Sequence, residues 1–296
     1  MYIYLKHIIK SILGEKRYNS LRKNKILSDF AKIDDNIKYK INNNNRFKDI
    51  HKNQRCFILG NGPSLKDVDL ALLSNEIVFS VNNFCKVKDF KNAKTNYHFW
   101  IDDAFFNLRK DMKYNMNDIM KNYSLMSEEN AECFVPISAL KFIKDNKLDE
   151  KLNINYLING IPFEAFKLDE FDICSIIPSF TTVVQYCIIV AIYMGFNEIY
   201  LLGCDSTGIV ATINCALNQK NKDMHAYGND NTENEINGLL KHWNMSKVFF
   251  DQYLLFKGYE YLNDICNNKN IILKNCSEKS LINSIKTDSI NEALEN

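Results

Sequence analysis

The residues best suited to chemistry follow a short apolar strand, Cys56–Leu59, which runs into Gly60-Asn61-Gly62-Pro63-Ser64. Glycines at such a turn let a ligand approach the backbone, and free N–H groups at the start of a following helix favour a phosphate. Pro63 suits a first helical turn, and Ser64 can cap it or bind a phosphate oxygen. The stretch predicts a nucleotide site. An ordinary tight βα turn is the alternative, since neither a third fingerprint glycine nor a P-loop Lys-Ser/Thr follows.

A side chain at Gly62 is expected to block the phosphate and to leave the fold largely intact. The fold would stay intact because a side chain at Gly62 would meet the ligand and not another part of the protein.

A long apolar segment, Pro178–Asp205, forms the second strong signal. We expect Pro178-Ser179 to open a buried helix that Gly195 ends, and Glu198–Leu202 to be a strand that closes on Gly203. The segment therefore predicts an αβ unit with a buried helix.

Polar groups flank both ends of this unit. Ser179, Thr181 and Thr182 lie in the predicted first helical turn, where their hydroxyls offer a second anion site, although capping alone accounts for Ser179. Asp205 follows the strand, and strand ends in open α/β sheets face the ligand crevice. Its carboxylate is therefore a candidate for catalysis or binding, with a turn-stabilising role as the alternative.

Two further strand ends carry polar pairs. The predicted strand Glu76–Val81 ends in Asn82-Asn83, whose amides suit a base or ribose edge, or simply a turn. The predicted strand Tyr97–Ile101 ends in Asp102-Asp103. These acids suit a ribose hydroxyl, or a divalent metal held through a nucleotide phosphate. An N-cap of a helix Ala104–Met112 explains Asp103 equally well.

A histidine in a later loop is the candidate general base. His225 follows the strand that ends at Asp205, and an imidazole near neutral pKa can take the proton of an acceptor hydroxyl. Tyr227 or a helix N-terminus would stabilise a departing phosphate. A solvated loop histidine is the alternative. The preceding stretch, Gly208–Lys222, is rich in asparagine and small residues and predicts a flexible lid.

Composition limits the class of protein. The 296 residues are 46% hydrophobic, enough to bury one large α/β core. The nine cysteines include no C-x-x-C pair and mostly lie in apolar runs, which predicts reduced core thiols and a cytoplasmic protein. The net charge of +1 argues against a nucleic-acid-binding surface.

Residues 1–48 form a basic segment with twelve Lys/Arg against five Asp/Glu up to residue 50. Met1–Lys25 has apolar residues at helical spacing, which predicts a helix that lies on an anionic membrane surface or packs on the protein itself. It is too short and too charged for a spanning helix, and no signal-peptide cleavage site follows. We interpret Ile41–Arg46 as a polar linker, residues 49–282 as the catalytic domain and residues 283–296 as a polar, fraying tail. An aromatic-rich helix pair, Asn234–Tyr261, is expected to be core.

Together these motifs resemble a known family. GNGPSL, the paired asparagines after the second strand, and the later helix–strand of the form A-I-x-x-G-[FY]-x-E-I-Y-L-x-G-x-D are similar to the bacterial family-42 sialyltransferases. They are equally similar to the broader family of motility-associated flagellin glycosyltransferases and hydroxymethylpterin diphosphokinases. The resemblance covers roughly Arg55–Phe106 and Pro178–Gly228. It implies an α/β, Rossmann-like fold with a mostly parallel sheet flanked by helices, an N-terminal helical arm and a lid insertion.

The resemblance also implies roles for single residues. Asn61 and Ser64 would contact the phosphate or sugar of a nucleotide-activated donor, usually a cytidine-monophosphate nonulosonate. Asn82 would contact the nucleotide side, and Thr182 the donor carboxylate or phosphate. The implied reaction is inversion at the anomeric carbon without a metal, with no cofactor besides the CMP-sugar.

Two positions depart from the sialyltransferase pattern. Ser206-Thr207 stand where those enzymes have a tyrosine that holds the leaving phosphate. His225 precedes Gly228, as in the broader family, whereas the sialyltransferase histidine follows a Tyr-x-Gly.

Three functions compete at this point. The first is a glycosyltransferase of surface-polysaccharide or lipo-oligosaccharide assembly, with a glycan or glycolipid acceptor and a basic arm on the inner face of the membrane. The second is a pterin-type diphosphokinase that uses ATP and magnesium, for which Asp102, Asp103 and Asp205 are the candidate ligands. The third is a non-catalytic nucleotide-binding protein. The sequence leaves a homo-oligomer open.

Overall fold

The computed structural model describes residues 13–110, 114–166, 171–228 and 232–295. One sheet of nine strands runs through these residues, and every adjacent pair of strands is parallel. The strands are β1 (Arg55–Leu59), β2 (Ile77–Val81), β3 (Tyr97–Phe99), β4 (Glu132–Pro136), β5 (Asn153–Pro162), β6 (Ile176–Ser179), β7 (Glu198–Leu202), β8 (Ile272–Asn275) and β9 (Lys286–Thr287). Their order across the sheet is β6-β5-β4-β3-β2-β1-β7-β8-β9. The predicted α/β class with a parallel sheet is confirmed.

Helices cover both faces of this sheet. They are α1 (Glu15–Ala31), α2 (Asp35–Asn42), α3 (Met116–Glu128), α4 (Leu140–Asp145), α5 (Val183–Tyr193), α6 (Gly208–Ala216), α7 (Thr232–Leu240), α8 (Met245–Asn268) and α9 (Ile290–Glu295). Alternate residues of β1 enter opposite cores: Phe57 packs on the face of α2 and α3, and Ile58 on the face of α5 and α8. Because both faces are covered, the central strands β1, β2 and β7 are largely apolar instead of alternating with polar residues.

Helix α5 is buried along its whole length, as its uninterrupted apolar sequence predicts. It begins later than expected, however. Ser179 ends strand β6, and Thr182 is the N-cap of the helix. Pro178 lies in β6, which is an edge strand of the sheet, and proline is tolerated there because its missing N–H has no ladder partner to lose.

The N-terminal segment packs on the sheet from α1 onward. Ile26, Leu27 and Phe30 of α1 lie against the core, and Ile41 of α2 is fully buried. The stretch interpreted as a polar linker is instead a 3₁₀ helix, Asn43–Phe47. Residues 1–12 of the predicted membrane helix lie outside the described residues. No helix in the described ranges is long and apolar enough to cross a bilayer.

Two other segments are more regular than the sequence indicated. The predicted lid begins as helix α6, whose Ala211 and Cys215 are buried one turn apart. The tail does not fray through residue 295, because Arg55 donates hydrogen bonds to the carbonyls of Ala293 (2.9 Å) and Leu294 (3.3 Å). The predicted reduced thiols are confirmed: all nine cysteines are unpaired, and eight are buried.

The strand order reverses direction at β1. Strands β2 to β6 extend to one side of β1, and the chain then crosses through α5 to place β7 on the other side. In open parallel sheets such a reversal leaves a crevice beyond the carboxyl ends of the two central strands. The fold therefore places its crevice between the ends of β1 and β7.

Candidate functional site

A cavity of about 610 Å³ occupies this crevice. It is lined by the residues after β1, β2 and β7, by the start of α5, and by parts of α3, α6, α7 and α8. Ten of the sequence-predicted site residues line it: Gly60, Asn61, Gly62, Asn82, Asn83, Thr182, Gly203, Asp205, His225 and Tyr227. Most of the candidates predicted from their positions at strand ends and helix starts therefore lie at one cavity.

Four predicted site residues, Ser64, Asp102, Ser179 and Thr181, are not among the residues that line the cavity. Ser64 bonds Asp205, and Ser179 belongs to β6. Asp102 caps the 3₁₀ helix Asp103–Phe106 by accepting from the Ala104 N–H (2.9 Å), and it pairs with Arg109 (3.3 Å). The Thr181 N–H donates to the side-chain oxygen of Gln185 (3.3 Å).

The glycine turn is shaped by contact with the protein's own strand β7. A Cβ at Gly62 would lie 2.6 Å from the Gly203 carbonyl oxygen and closer still to the Asp205 carboxylate. Neither Gly60 nor Gly62 has a positive φ, so close approach and not backbone freedom is what requires glycine here. The helix after the turn is a five-residue 3₁₀ helix, Pro63–Asp67, which is too short for the phosphate-binding helix terminus that the sequence predicted.

Asp205 ties this turn to β7. The residue is 2% exposed, and its carboxylate accepts from both the N–H (2.9 Å) and the hydroxyl of Ser64. These bonds fit the turn-stabilising alternative better than a role as a base, because the oxygens are already occupied by donors of the same chain.

Two asparagine amides present unused acceptors at the wall of the cavity. Asn61 Nδ2 donates to the Val81 carbonyl (2.9 Å), and its Oδ1 is buried with no partner among the described residues. The Oδ1 of Asn82 is also buried and unpartnered within the described part of the chain. Buried acceptors of this kind cost free energy unless a donor reaches them. The wall therefore suits a ligand edge that carries N–H or O–H groups.

The loop that carries His225 is held by the backbone of the glycine turn. The Ala226 N–H donates to the Asn61 carbonyl (2.9 Å), and the His225 ring stacks on the ring of Tyr227 with centroids 4.8 Å apart. Burial lowers the pKa of His225, and Lys86 lowers it further, against the opposing effect of the Asn61 backbone. The ring is therefore neutral at neutral pH, and one of its nitrogens can accept a proton.

A lysine that the sequence reasoning missed supplies positive charge. Lys86 ends the 3₁₀ helix Phe84–Lys86, lines the cavity, and lies with Nζ 5.9 Å from the centroid of the Tyr227 ring. Its field acts on both His225 and Glu235. A cation beside a candidate base is well placed to bind a phosphate.

The far wall also contains residues that no motif indicated. Glu235 of α7 lines the cavity, and burial raises its pKa to about 7, helped by Asp102 and opposed by Lys86. Asn115, Asp118 and Asn122, at the start of α3, line the same side. These segments are far apart in sequence, so only the tertiary packing brings them to the cavity.

A hydroxyl cluster forms the back of the cavity. Tyr259 of α8 is 1% exposed and lines the cavity together with Thr182 and Ser206. Thr182 is the N-cap of α5, and Val183 and Val184 of its first turn line the same cavity. This end of the cavity suits an anionic group.

The acids proposed for magnesium do not form a ligand set. Asp102 accepts from the Ala104 N–H, Asp205 accepts from the Ser64 N–H, and Asp103 accepts from the Ser138 hydroxyl (2.7 Å). Across the described ranges, no three His, Cys, Asp or Glu side chains are grouped to hold a metal ion. Asp102, Asp103 and Asp205 therefore do not act together as one ligand set.

Comparisons with known proteins complete the description. No family model matches the chain, and no curated protein matches its sequence. Two solved structures of the sialyltransferase CstII from Campylobacter jejuni, with cytidine-5'-monophosphate and with CMP-3FNeuAc, are 20% and 21% identical. They align over 80% and 79% of this chain and 85% and 86% of theirs, with TM-scores of 0.44 and 0.43. The MAf glycosyltransferase from Magnetospirillum magneticum AMB-1 is 12% identical, with a TM-score of 0.47 over 86% of this chain and 38% of that one.

Proposed function

We propose that this protein is a glycosyltransferase that moves a sugar, in the first instance a nonulosonic acid such as sialic acid, from a CMP-activated donor to a hydroxyl of a surface glycan. The proposal rests above all on the place of His225 in the cavity, where the bond from the Ala226 N–H to the Asn61 carbonyl (2.9 Å) fixes its loop. Burial lowers the pKa of His225, which keeps the imidazole neutral in a cavity that the Lys86 cation and the amides of Asn61 and Asn82 also line.

The proposed reaction is a single displacement. His225 takes the proton of the acceptor hydroxyl, whose oxygen attacks the anomeric carbon as the bond from that carbon to the phosphate oxygen breaks. The electron pair leaves with the nucleotide monophosphate, and the anomeric configuration inverts. Lys86, Tyr227 and the hydroxyls at Thr182 would stabilise the charge on the leaving phosphate or on the donor carboxylate. This step needs no metal.

The paired asparagines would select the donor. Asn61 and Asn82 present buried oxygens without partners among the described residues, and the N–H and O–H groups of a cytidine edge or ribose would satisfy them. Asn83 would contribute to the same wall, where its side-chain oxygen accepts a hydrogen bond from the Asn122 amide of α3 (2.8 Å).

We further propose a cytoplasmic enzyme that works beside the inner face of a membrane, on a lipo-oligosaccharide or capsule acceptor. The support is the basic character of residues 1–25. Binding of the full chain and of a chain lacking residues 1–25 to anionic vesicles would test this, and equal binding by both would contradict it.

Ligand-dependent thermal stability tests the donor class directly. CMP and a CMP-sugar should each raise the melting temperature of the full chain in a magnesium-free buffer. A shift that requires magnesium and ATP would favour the diphosphokinase instead, and no shift with any nucleotide would favour a non-catalytic protein. Cytidine without the phosphate is the matched control and should stabilise less than CMP.

A further inference from the structure

The Asn82 backbone adopts an unusual conformation at the cavity wall. Its φ is +51°, in the left-handed region that costs an L-residue about 1 kcal/mol and that asparagine tolerates better than most. Its N–H donates to the Phe99 carbonyl (2.9 Å), which ties the residue to strand β3. Asn82 lines the cavity, and its left-handed conformation requires support from its surroundings.

Two buried side chains of the β3 segment supply that support. The indole N–H of Trp100 donates to the Asn82 carbonyl (3.0 Å), and His98 Nε2 lies 3.2 Å from the same oxygen. Both residues are fully buried, and their rings meet edge to face with centroids 4.1 Å apart. Because they are two positions apart in an extended chain, both point to the same face of the sheet.

The tautomer of His98 follows from its partners. Nε2 faces a carbonyl oxygen and must carry the proton, so Nδ1 accepts from the Ser80 hydroxyl at 2.7 Å. Burial lowers the pKa of His98 to about 3, which keeps the ring neutral. Two interior side chains thus direct N–H groups to one backbone oxygen of a cavity residue, which apolar packing alone does not require.

We infer that His98 and Trp100 are positioning residues, which hold Asn82 in its left-handed conformation and so place its amide for the donor nucleotide. The choice of ligand rests on the function proposed above. The support of Asn82 by His98 and Trp100 does not depend on that function, since it can be measured with no ligand present.

Hydrogen exchange of the full chain tests the hold directly. Trp100→Phe keeps an aromatic ring but removes the N–H, and His98→Leu removes the other donor. Each should speed exchange at the Asn82 amide by about five- to ten-fold, the usual effect of one hydrogen bond. His98→Gln, whose side-chain amide can still donate, should restore slow exchange.

Tyr97→Phe is the matched control in the same strand. It removes the hydrogen bond from the Tyr97 hydroxyl to His51 Nε2 (2.6 Å) at the end of β3 away from the cavity. It should leave Asn82 exchange unchanged. If Asn82 exchanges at the wild-type rate in Trp100→Phe and His98→Leu, or only in proportion to the whole sheet, the inference is wrong.

Titration with CMP then tests whether the support of Asn82 contributes to ligand binding. Trp100→Phe and His98→Leu should bind CMP about five- to ten-fold more weakly than wild type, and Tyr97→Phe and His98→Gln should bind as wild type does. Faster Asn82 exchange with unchanged CMP affinity would overturn the positioning role. If wild type itself binds no CMP, the proposed function fails, and the exchange rates still decide whether His98 and Trp100 hold Asn82.

Discussion

The N–H of Ala226 donates to the carbonyl of Asn61 at 2.9 Å. One backbone oxygen in the glycine turn after β1 thus fixes the loop that carries the candidate base. The Asn61 backbone also raises the pKa of the neighbouring His225, against the larger lowering effect of burial. The glycine turn therefore positions the loop of the candidate base and lines the cavity.

Loss of the base should slow turnover without loss of the donor site. His225→Ala should lower kcat by roughly 10²–10⁴-fold, the usual contribution of positioned proton transfer, with little change in CMP affinity. Because the pKa of His225 is lowered, the acidic limb of the wild-type rate should lie below pH 6.5, and the variant should lose it.

His242→Ala is the control for this experiment, since His242 is exposed between α7 and α8. It should leave kcat unchanged. A near-normal kcat in His225→Ala would exclude the base role, and weakened CMP binding at normal kcat would make His225 a phosphate ligand.

The crowding between the glycine turn and β7 makes a stability prediction that corrects the sequence-based one. Gly62→Val should destabilise the fold by about 3 kcal/mol, since its side chain collides with Gly203 and Asp205. Gly238→Ala in α7, where a Cβ meets nothing within 4 Å, should be neutral or slightly stabilising. Urea denaturation measures both, and equal stability of Gly62→Val and wild type would contradict the packing described here.

Short apolar runs predicted the central strands of the sheet well, because buried parallel strands are apolar and each is followed by polar residues or glycine. The segments Cys56–Leu59, Glu76–Val81 and Glu198–Leu202 agree with β1, β2 and β7 to within a residue. Since the carboxyl ends of parallel strands share one edge, the asparagines and glycines that follow them had to converge.

The sequence-based predictions failed where a polar residue lies inside the fold and contacts other parts of the chain. Asn44, in the predicted linker, is fully buried and donates to the carbonyls of Tyr156 (2.8 Å) and Ile173 (3.0 Å). Composition cannot reveal that an amide is buried and donates hydrogen bonds inside the fold. Lys86 and Glu235 were missed for a related reason, since each resembles a surface charge until the tertiary structure places it in the cavity.

The lysine in the cavity should contribute chiefly to phosphate binding. Lys86→Ala should weaken CMP binding by about 10-fold or more, the scale of a charge-assisted hydrogen bond, and should leave cytidine binding unchanged. Lys88→Ala is a close control, since the Lys88 side chain is 92% exposed two residues further on. Calorimetric titration would measure these affinities, and equal losses for CMP and cytidine would argue that Lys86 contacts the nucleoside.

The carboxyl group of Glu235 should make stability depend on pH near neutrality. Its pKa rises from an ordinary 4.5 to about 7 on folding, so its contribution is fully present below pH 4.5 and is lost as the pH rises through 7. Glu235→Gln carries no such charge and should be more stable than wild type at pH 8 by about 1 kcal/mol, a figure reduced for partial solvent access, and nearly equal to it at pH 4.5. Urea melts at the two pH values measure these differences, with Glu233→Gln, two residues earlier in α7, as the matched control. If Glu235→Gln differs from wild type by the same amount at both, the carboxyl does not titrate in this range, and the desolvated position described for it is wrong.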